Sequence, residues 1–362
     1  MNEGDTAVIG GTPEWAASLR DGAGLVHLGP SPDGYAVEGA VVSRPAGGAL
    51  PYPPGFFRRV HCDLTAAAGL AAEALTLPAP GGTVTLSRVP EAERESWRER
   101  LTAAGLTATE KNGAVIGRNN ATARAEETDC VFCARYRFRM NADAGVPGAA
   151  GVLWGDDDLW CAPDLAPLRP GHLLIVSTAH RPCFGACPPA LLDKLAAWRA
   201  LVTAMLAGAY GLPVTFFEHG PATSQGGGAC IDHAHLHCVP GLPSLRERVE
   251  AEGLRAGPYG MTGLYRRRTS YLYVEDASGP AVYPCRAALP TQFLRKAATA
   301  EGRPWRWQET YGTLATRELF LATLRALLPW ADRLLSGQAD SSQRSSAAVT
   351  ASPNPMGSRA SS

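Results

Sequence analysis

A chain of 362 residues with 45% hydrophobic side chains is long enough for two domains, each with its own core. Its 34 basic and 34 acidic side chains cancel, which removes the electrostatic footprint of a protein that binds nucleic acid or an anionic membrane. Nine cysteines are an odd set for a disulfide framework, the opening MNEGDTAVIGG lacks the regions of a secretory leader, and no apolar run approaches bilayer length, so a cytoplasmic globular protein is expected.

Residues 1–120 predict short strands alternating with helices. In order these are the strand TAVIGG, the helix PEWAASLRDG, the strand GLVHLG, a Pro/Gly-rich stretch at 45–55 and the strand FFRRVHCDL. The helix TAAAGLAAEAL, the turn PAPGG, the strand TVTLSRV, the polar helix EAERESWRERLTAAGL and a last pair around TATEKNGAVIGRN follow. This order is that of a small α/β domain. A second domain, α+β, is expected over 126–330, with strands at DLWCAPD, HLLIVSTAH, VTFFEHG, CIDHAHLHCVP and SYLYVED. Its long helices are PPALLDKLAAWRALVTAMLAGAYG and RELFLATLRALLPWADRLL. Residues 336–362 are Ser/Ala-rich with almost no large apolar side chains, the composition of a disordered tail.

Two motifs carry chemistry. Cys130-Val131-Phe132-Cys133, read alone, suits a zinc site, a redox pair or two buried cysteines. The second motif is CIDHAHLHCVP, residues 230–240. Six of the eight histidines fall between His172 and His237, and three of them alternate here. On an extended strand His233, His235 and His237 share one face, an arrangement useful for a metal site or for phosphate chemistry.

The order CVFC, PLRPGHLLIVSTAH, a Gly-rich loop and HAHLHCVP resembles the histidine-triad (HIT) superfamily of nucleotide hydrolases and transferases over residues 129–241. The resemblance implies an antiparallel sheet with helices. It also implies a structural zinc closed by Cys130, Cys133, His180 and His233. His235 becomes the nucleophile that takes up a nucleotide at its α-phosphorus, His237 contacts the phosphate oxygens, and His172 closes the pocket. Asp164 is placed to accept from ribose hydroxyls, and Phe132 and Trp160 either flank a base or belong to the core. His219, outside the pattern, reads as a satisfied core histidine.

Many members carry Gly-Gln-Ser before the triad, where this chain has Gly228-Ala229-Cys230, so Gly228 and Cys230 mark the substrate-binding run. The stretch 265–330 resembles the extension of a bacterial branch of HIT-like proteins, in which Gln292 and Arg295 approach the site.

Residues 5–118 resemble the class I methyltransferase fold, with Ile9-Gly10-Gly11-Thr12-Pro13-Glu14 as the glycine-rich loop. Gly29 stands where an acidic residue usually binds the cofactor's ribose. The expected domain is therefore a degenerate Rossmann-like one that does not use S-adenosylmethionine. The function expected is hydrolysis or transfer of a nucleotide, a purine first, from a dinucleoside polyphosphate, a phosphoramidate or a nucleotide-activated small molecule. No nucleic acid or membrane partner is expected, and a homodimer is allowed. Two alternatives are a non-catalytic nucleotide-binding regulatory module and a bifunctional protein with an active N-terminal methyltransferase.

Overall fold

The computed structural model describes residues 5–20, 24–29, 34–38, 40–45, 49–121, 130–133, 138–222, 231–242, 244–299 and 305–335; the tail expected over 336–362 lies outside the described residues. The N-terminal half runs β1 (Thr6–Ile9), α1 (Pro13–Ser18), β2 (Leu25–Leu28), β3 (Ala36–Glu38), β4 (Val41–Arg44), β5 (Phe57–Asp63), α2 (Leu64–Ala67) and α3 (Ala71–Ala74). It continues with β6 (Pro78–Ser87), α4 (Arg94–Ala103), β7 (Thr107–Lys111) and β8 (Ala114–Arg118). These strands form one sheet in the order β3-β4-β2-β1-β5-β6-β8-β7. The run from β4 to β6 is parallel, with antiparallel neighbours at both edges. A parallel strand covered on both faces needs a continuous apolar run, and every residue of TAVI is buried.

Helix α1 starts where Pro13 takes the first turn and Thr12 Oγ1 accepts from the Trp15 N–H at 3.3 Å. The single helix expected over TAAAGLAAEAL is instead α2, a 3-10 turn at Ala68–Leu70 and α3, interrupted at Gly69, the weakest helix former of the stretch. The PAPGG turn is part of β6. There Gly81 takes φ +73° and the pairing with β5 slips between Phe57 and Arg59.

The C-terminal half contains α5 (Arg139–Asp143), β9 (Trp154–Gly155), β10 (Leu159–Pro163), β11 (Leu173–Ser177), α6 (Pro189–Tyr210), β12 (Val214–Gly220) and β13 (His235–Pro240). After these come α7 (Leu245–Ala251), α8 (Met261–Arg266), β14 (Ser270–Asp276), β15 (Gly279–Cys285), α9 (Phe293–Ala298), α10 (Trp307–Thr310) and α11 (Leu314–Leu335). Its seven strands make an antiparallel sheet ordered β15-β14-β12-β13-β11-β10-β9. The expected long helices are α6, closed by Gly211 in the left-handed region, and α11. Strand β15 was hidden in the sequence by Pro280 and Pro284, which an edge strand tolerates. Strand β13 begins at His235, five residues after the start of the stretch read as a strand; residues 223–230 lie outside the described set.

One apolar cluster runs from β1 and β5 into β10, β11, α6 and α11, so the halves share a core. Polar groups pin the seam. Arg44, fully buried, donates to Leu153 O at 3.0 Å and Val152 O at 3.3 Å and pairs with Asp332 of α11. Arg325 donates twice to Val37 O, at 2.9 and 3.1 Å, and Asp5 accepts from the N–H groups of Gly24 and Ala149. Changing Arg44 to Met takes the cation from the Asp332 carboxylate, which keeps the Tyr35 hydroxyl, and removes the donor to the Val152 and Leu153 carbonyls. Chemical denaturation should show a loss of roughly 2–3 kcal/mol, below the full penalty for breaking a buried pair because Asp332 reaches solvent.

Among the described residues no helix is long and apolar enough to cross a membrane.

Candidate functional site

The sheet brings four potential ligands to the end of β11. Cys130 Sγ lies 3.3 Å from His233 Nδ1, Cys133 Sγ 3.3 Å from His180 Nδ1, and Cys133 Sγ 3.7 Å from His233 Nδ1. Zinc bonds of about 2.3 Å to sulfur and about 2.0–2.1 Å to nitrogen give tetrahedron edges of about 3.3–3.8 Å, so the donors stand at the spacing one ion needs. His233 Nε2 donates to Ser177 O at 2.7 Å, which fixes the proton there and leaves the Nδ1 lone pair facing the thiols. The Cys133 thiol and the His233 ring hold the Cys130 thiol far below its ordinary range. His233 itself precedes β13, the strand that carries His235 and His237.

His235 and His237 pair across the ladder with Val176 and Leu174. His235 Nδ1 donates to His233 O at 2.6 Å, so its Nε2 carries a lone pair. Burial is the main cause that lowers its pKa, to about 4, and the ring is neutral at pH 7.

A second chain of bonds sets His237. The Leu168 N–H donates to His172 Nδ1 at 3.0 Å, which places the His172 proton on Nε2. That nitrogen lies 3.0 Å from His237 Nδ1, so it donates there and the His237 proton resides on Nε2. Desolvation keeps both rings neutral, with His172 pushed down to about 3. His235 therefore offers an unprotonated nitrogen and His237, two residues on, an N–H.

Both line a cavity of about 760 Å³, within the range of ligand pockets of about 300–1,000 Å³. Asp164, Gln292, Arg295, Phe132 and Trp160 line it too, while His172 sits one bond behind His237. Gly228 and Cys230 lie outside the described residues. Asp164 is buried, accepts from the Ala166 N–H at 2.7 Å and pairs with Arg295, which also donates to Ala166 O at 2.8 Å and packs over Trp305. Burial alone would raise the Asp164 pKa, but Arg295 and the hydrogen bonds outweigh it and hold the carboxyl below its usual range. Phe132 stands between the two groups, its ring centroid 5.7 Å from that of His233 and 5.3 Å from that of His235.

Sequence reading missed Asn141, Lys296, Trp305, Trp307 and the role of His219 in this wall. The WRWQ run was a usable signal, since two tryptophans beside charged residues in a short polar stretch are expensive to expose.

On the opposite face of β12, Glu218 accepts from the Phe184 N–H and the Tyr271 hydroxyl, both at 2.7 Å. Burial raises its pKa from 4.5 to about 8. The folded chain keeps a proton that the unfolded chain releases near 4.5, so this contribution to stability is full below that pH and is lost as pH rises toward 8. Measured as the difference from Glu218→Gln at each pH, the wild-type unfolding free energy should therefore fall between pH 5 and pH 8, by up to about 1.4 kcal/mol per pH unit; the buried neutral histidines, whose contribution has the opposite sign, are common to both proteins and cancel.

A family profile described as "Protein similar to CwfJ C-terminal" matches residues 118–251. Among solved structures, the chain is similar to a hypothetical histidine triad nucleotide-binding protein from Sulfolobus tokodaii at 22% identity and TM-score 0.22, over 25% of this chain and 60% of that one. It spans 75% of a Zn-bound histidine triad family protein from Mycobacterium smegmatis, at 22% identity, 31% of this chain and TM-score 0.25. A chain from the Haloferax volcanii complex containing the Trm112 methyltransferase activator is similar at 17% identity over 33% of this chain and 84% of that one, with TM-score 0.26. No curated protein matches.

Proposed function

We propose that the C-terminal domain, 126–330, is a nucleotide-binding enzyme of the histidine-triad kind that transfers a nucleoside monophosphate, a purine first, through His235. The observation that carries this is the 2.6 Å bond from His235 Nδ1 to His233 O, which leaves Nε2 as a neutral nucleophile at a ligand-sized cavity. Nε2 forms a bond to the α-phosphorus while the bond to the leaving group breaks and takes its electron pair with it. The positive charge left on the nucleotidyl-imidazole is stabilised at Nδ1–H by the His233 carbonyl. Water or another acceptor then attacks phosphorus and gives up its proton to solvent, while the phosphorus–Nε2 bond breaks and its electron pair returns to Nε2. His237 Nε2–H serves the non-bridging oxygens, where charge accumulates.

Cys130, Cys133, His180 and His233 fit a zinc whose four protein ligands leave no open position. When bound, it supplies folding free energy and no chemistry. The N-terminal domain, 1–120, has parallel strands and a glycine loop, and the described side chains beside its glycines lie close. A Cβ on Gly11 would lie 2.4 Å from Trp15 Cε3, and one on Gly29 2.7 Å from His27 Nε2. The Trp15 and His27 side chains therefore press on the two glycines at the strand ends, which supports a scaffold role without S-adenosylmethionine.

The test is intact-mass spectrometry after incubation with adenine and guanine nucleotides bearing phosphate, amine and small-molecule leaving groups. An increment of one nucleoside monophosphate per chain is expected. Binding without any increment favours the regulatory module.

A further inference from the structure

The reading of FFEHG as a strand with a core histidine leaves His219 without work, and the structure gives it some. The antiparallel register pairs Phe217 with His237, so two residues further along β12 His219 comes level with the start of β13 at His235, on the same face as Phe217. His219 is buried and lines the cavity. Its Nε2 accepts from the Leu294 N–H of α9 at 3.0 Å, which forces the ring proton onto Nδ1. Nδ1 has no hydrogen-bond partner among the described residues, and it is not among the side-chain atoms sealed away without one. It is a fixed donor at the wall that carries His235.

The wall asks for an anion. Among the described residues lining the cavity, Asp164 is the sole carboxylate and it is committed to Arg295, whereas Lys296 and Arg306 add positive charge. We propose that His219 is a further substrate-contacting residue, whose Nδ1–H binds a phosphate oxygen of the nucleotide, and that α9 is its positioning element. This rests on the nucleotide reading of the same cavity. The backbone of α9 sets the tautomer through Leu294, and its Arg295 side chain occupies Asp164, so one short helix from the C-terminal stretch prepares two of the groups that face the ligand. An imidazole with an accepting Nε2 and a donating Nδ1 cannot exchange these roles while Leu294 stays in place.

The experiment compares adenosine with adenosine monophosphate by calorimetry on the full chain. His219→Ala should lose about tenfold to a hundredfold in affinity for the monophosphate, the worth of one hydrogen bond to a charged group, with adenosine affinity unchanged. His219→Asn, whose amide nitrogen can stand near Nδ1, should recover most of the loss. Should His219→Ala fail to fold, histidine-labelled wild-type protein serves in its place: its His219 Nδ1–H resonance should move with the monophosphate and not with adenosine. An unchanged resonance, undiminished monophosphate binding, or equal losses for both ligands overturns the assignment of His219 alone. A wild-type chain that binds neither ligand overturns the nucleotide reading, and this inference with it.

Discussion

His235→Asn is expected to abolish covalent nucleotide transfer while zinc content and nucleotide affinity stay close to wild type. Asn can still donate to the His233 carbonyl, so the local bond that His235 makes at 2.6 Å has a substitute, but no nitrogen with a free lone pair remains at the cavity. The turnover rate should fall by about 10⁴-fold or more, the scale seen when a nucleophile is removed from a group that acts as a unit. A drop in nucleotide affinity of the same size would show that the ring binds the ligand and does not attack it.

Cys133→Ser should have the largest effect on folding. Cys133 is buried and faces Cys130, His180 and His233, so its loss removes one corner of the tetrahedron and the three edges that meet there. With zinc at the centre of the four ligands, the free energy of binding is folding free energy, and removal of one thiolate should cost at least about 4–5 kcal/mol. Metal analysis should return about one zinc per wild-type chain and a substoichiometric amount for the variant. The expected signature is a large fall in melting temperature, reproduced in wild type by a strong chelator. The rate per folded molecule should fall much less than it does for His235→Asn.

Much of this was legible in the order of elements. The run TAVI, buried throughout, is that of a parallel strand covered on both faces, and the resemblance to the histidine triad points to Cys130, Cys133, His180 and His233, whose donor atoms the fold places within 4.8 Å of one another. What could not be read is what long-range packing decides. Alternation alone puts His233, His235 and His237 on one face; that His233 precedes β13 and spends its nitrogens on the Ser177 carbonyl and the thiols is decided by β11 and by the segment that carries Cys130 and Cys133. Asp164 and Arg295 are 131 positions apart, and Arg44 and Asp332 are 288 apart. No local pattern marks such partners. His219 looked like core because its strand is buried throughout; only the register of β12 against β13 and the arrival of α9 turn it toward the cavity.

In the proposed reaction phosphorus passes through His235. Rapid quenching into alkaline denaturant preserves a phosphorus–nitrogen bond that acid would hydrolyse, and a nucleotide labelled at its α-phosphate makes the adduct countable. The account predicts label on the peptide that carries His235, approaching one per chain and formed at least as fast as product is released, with none in His235→Asn. Product released by wild type with no label on His235, or label that persists in His235→Asn, would contradict it.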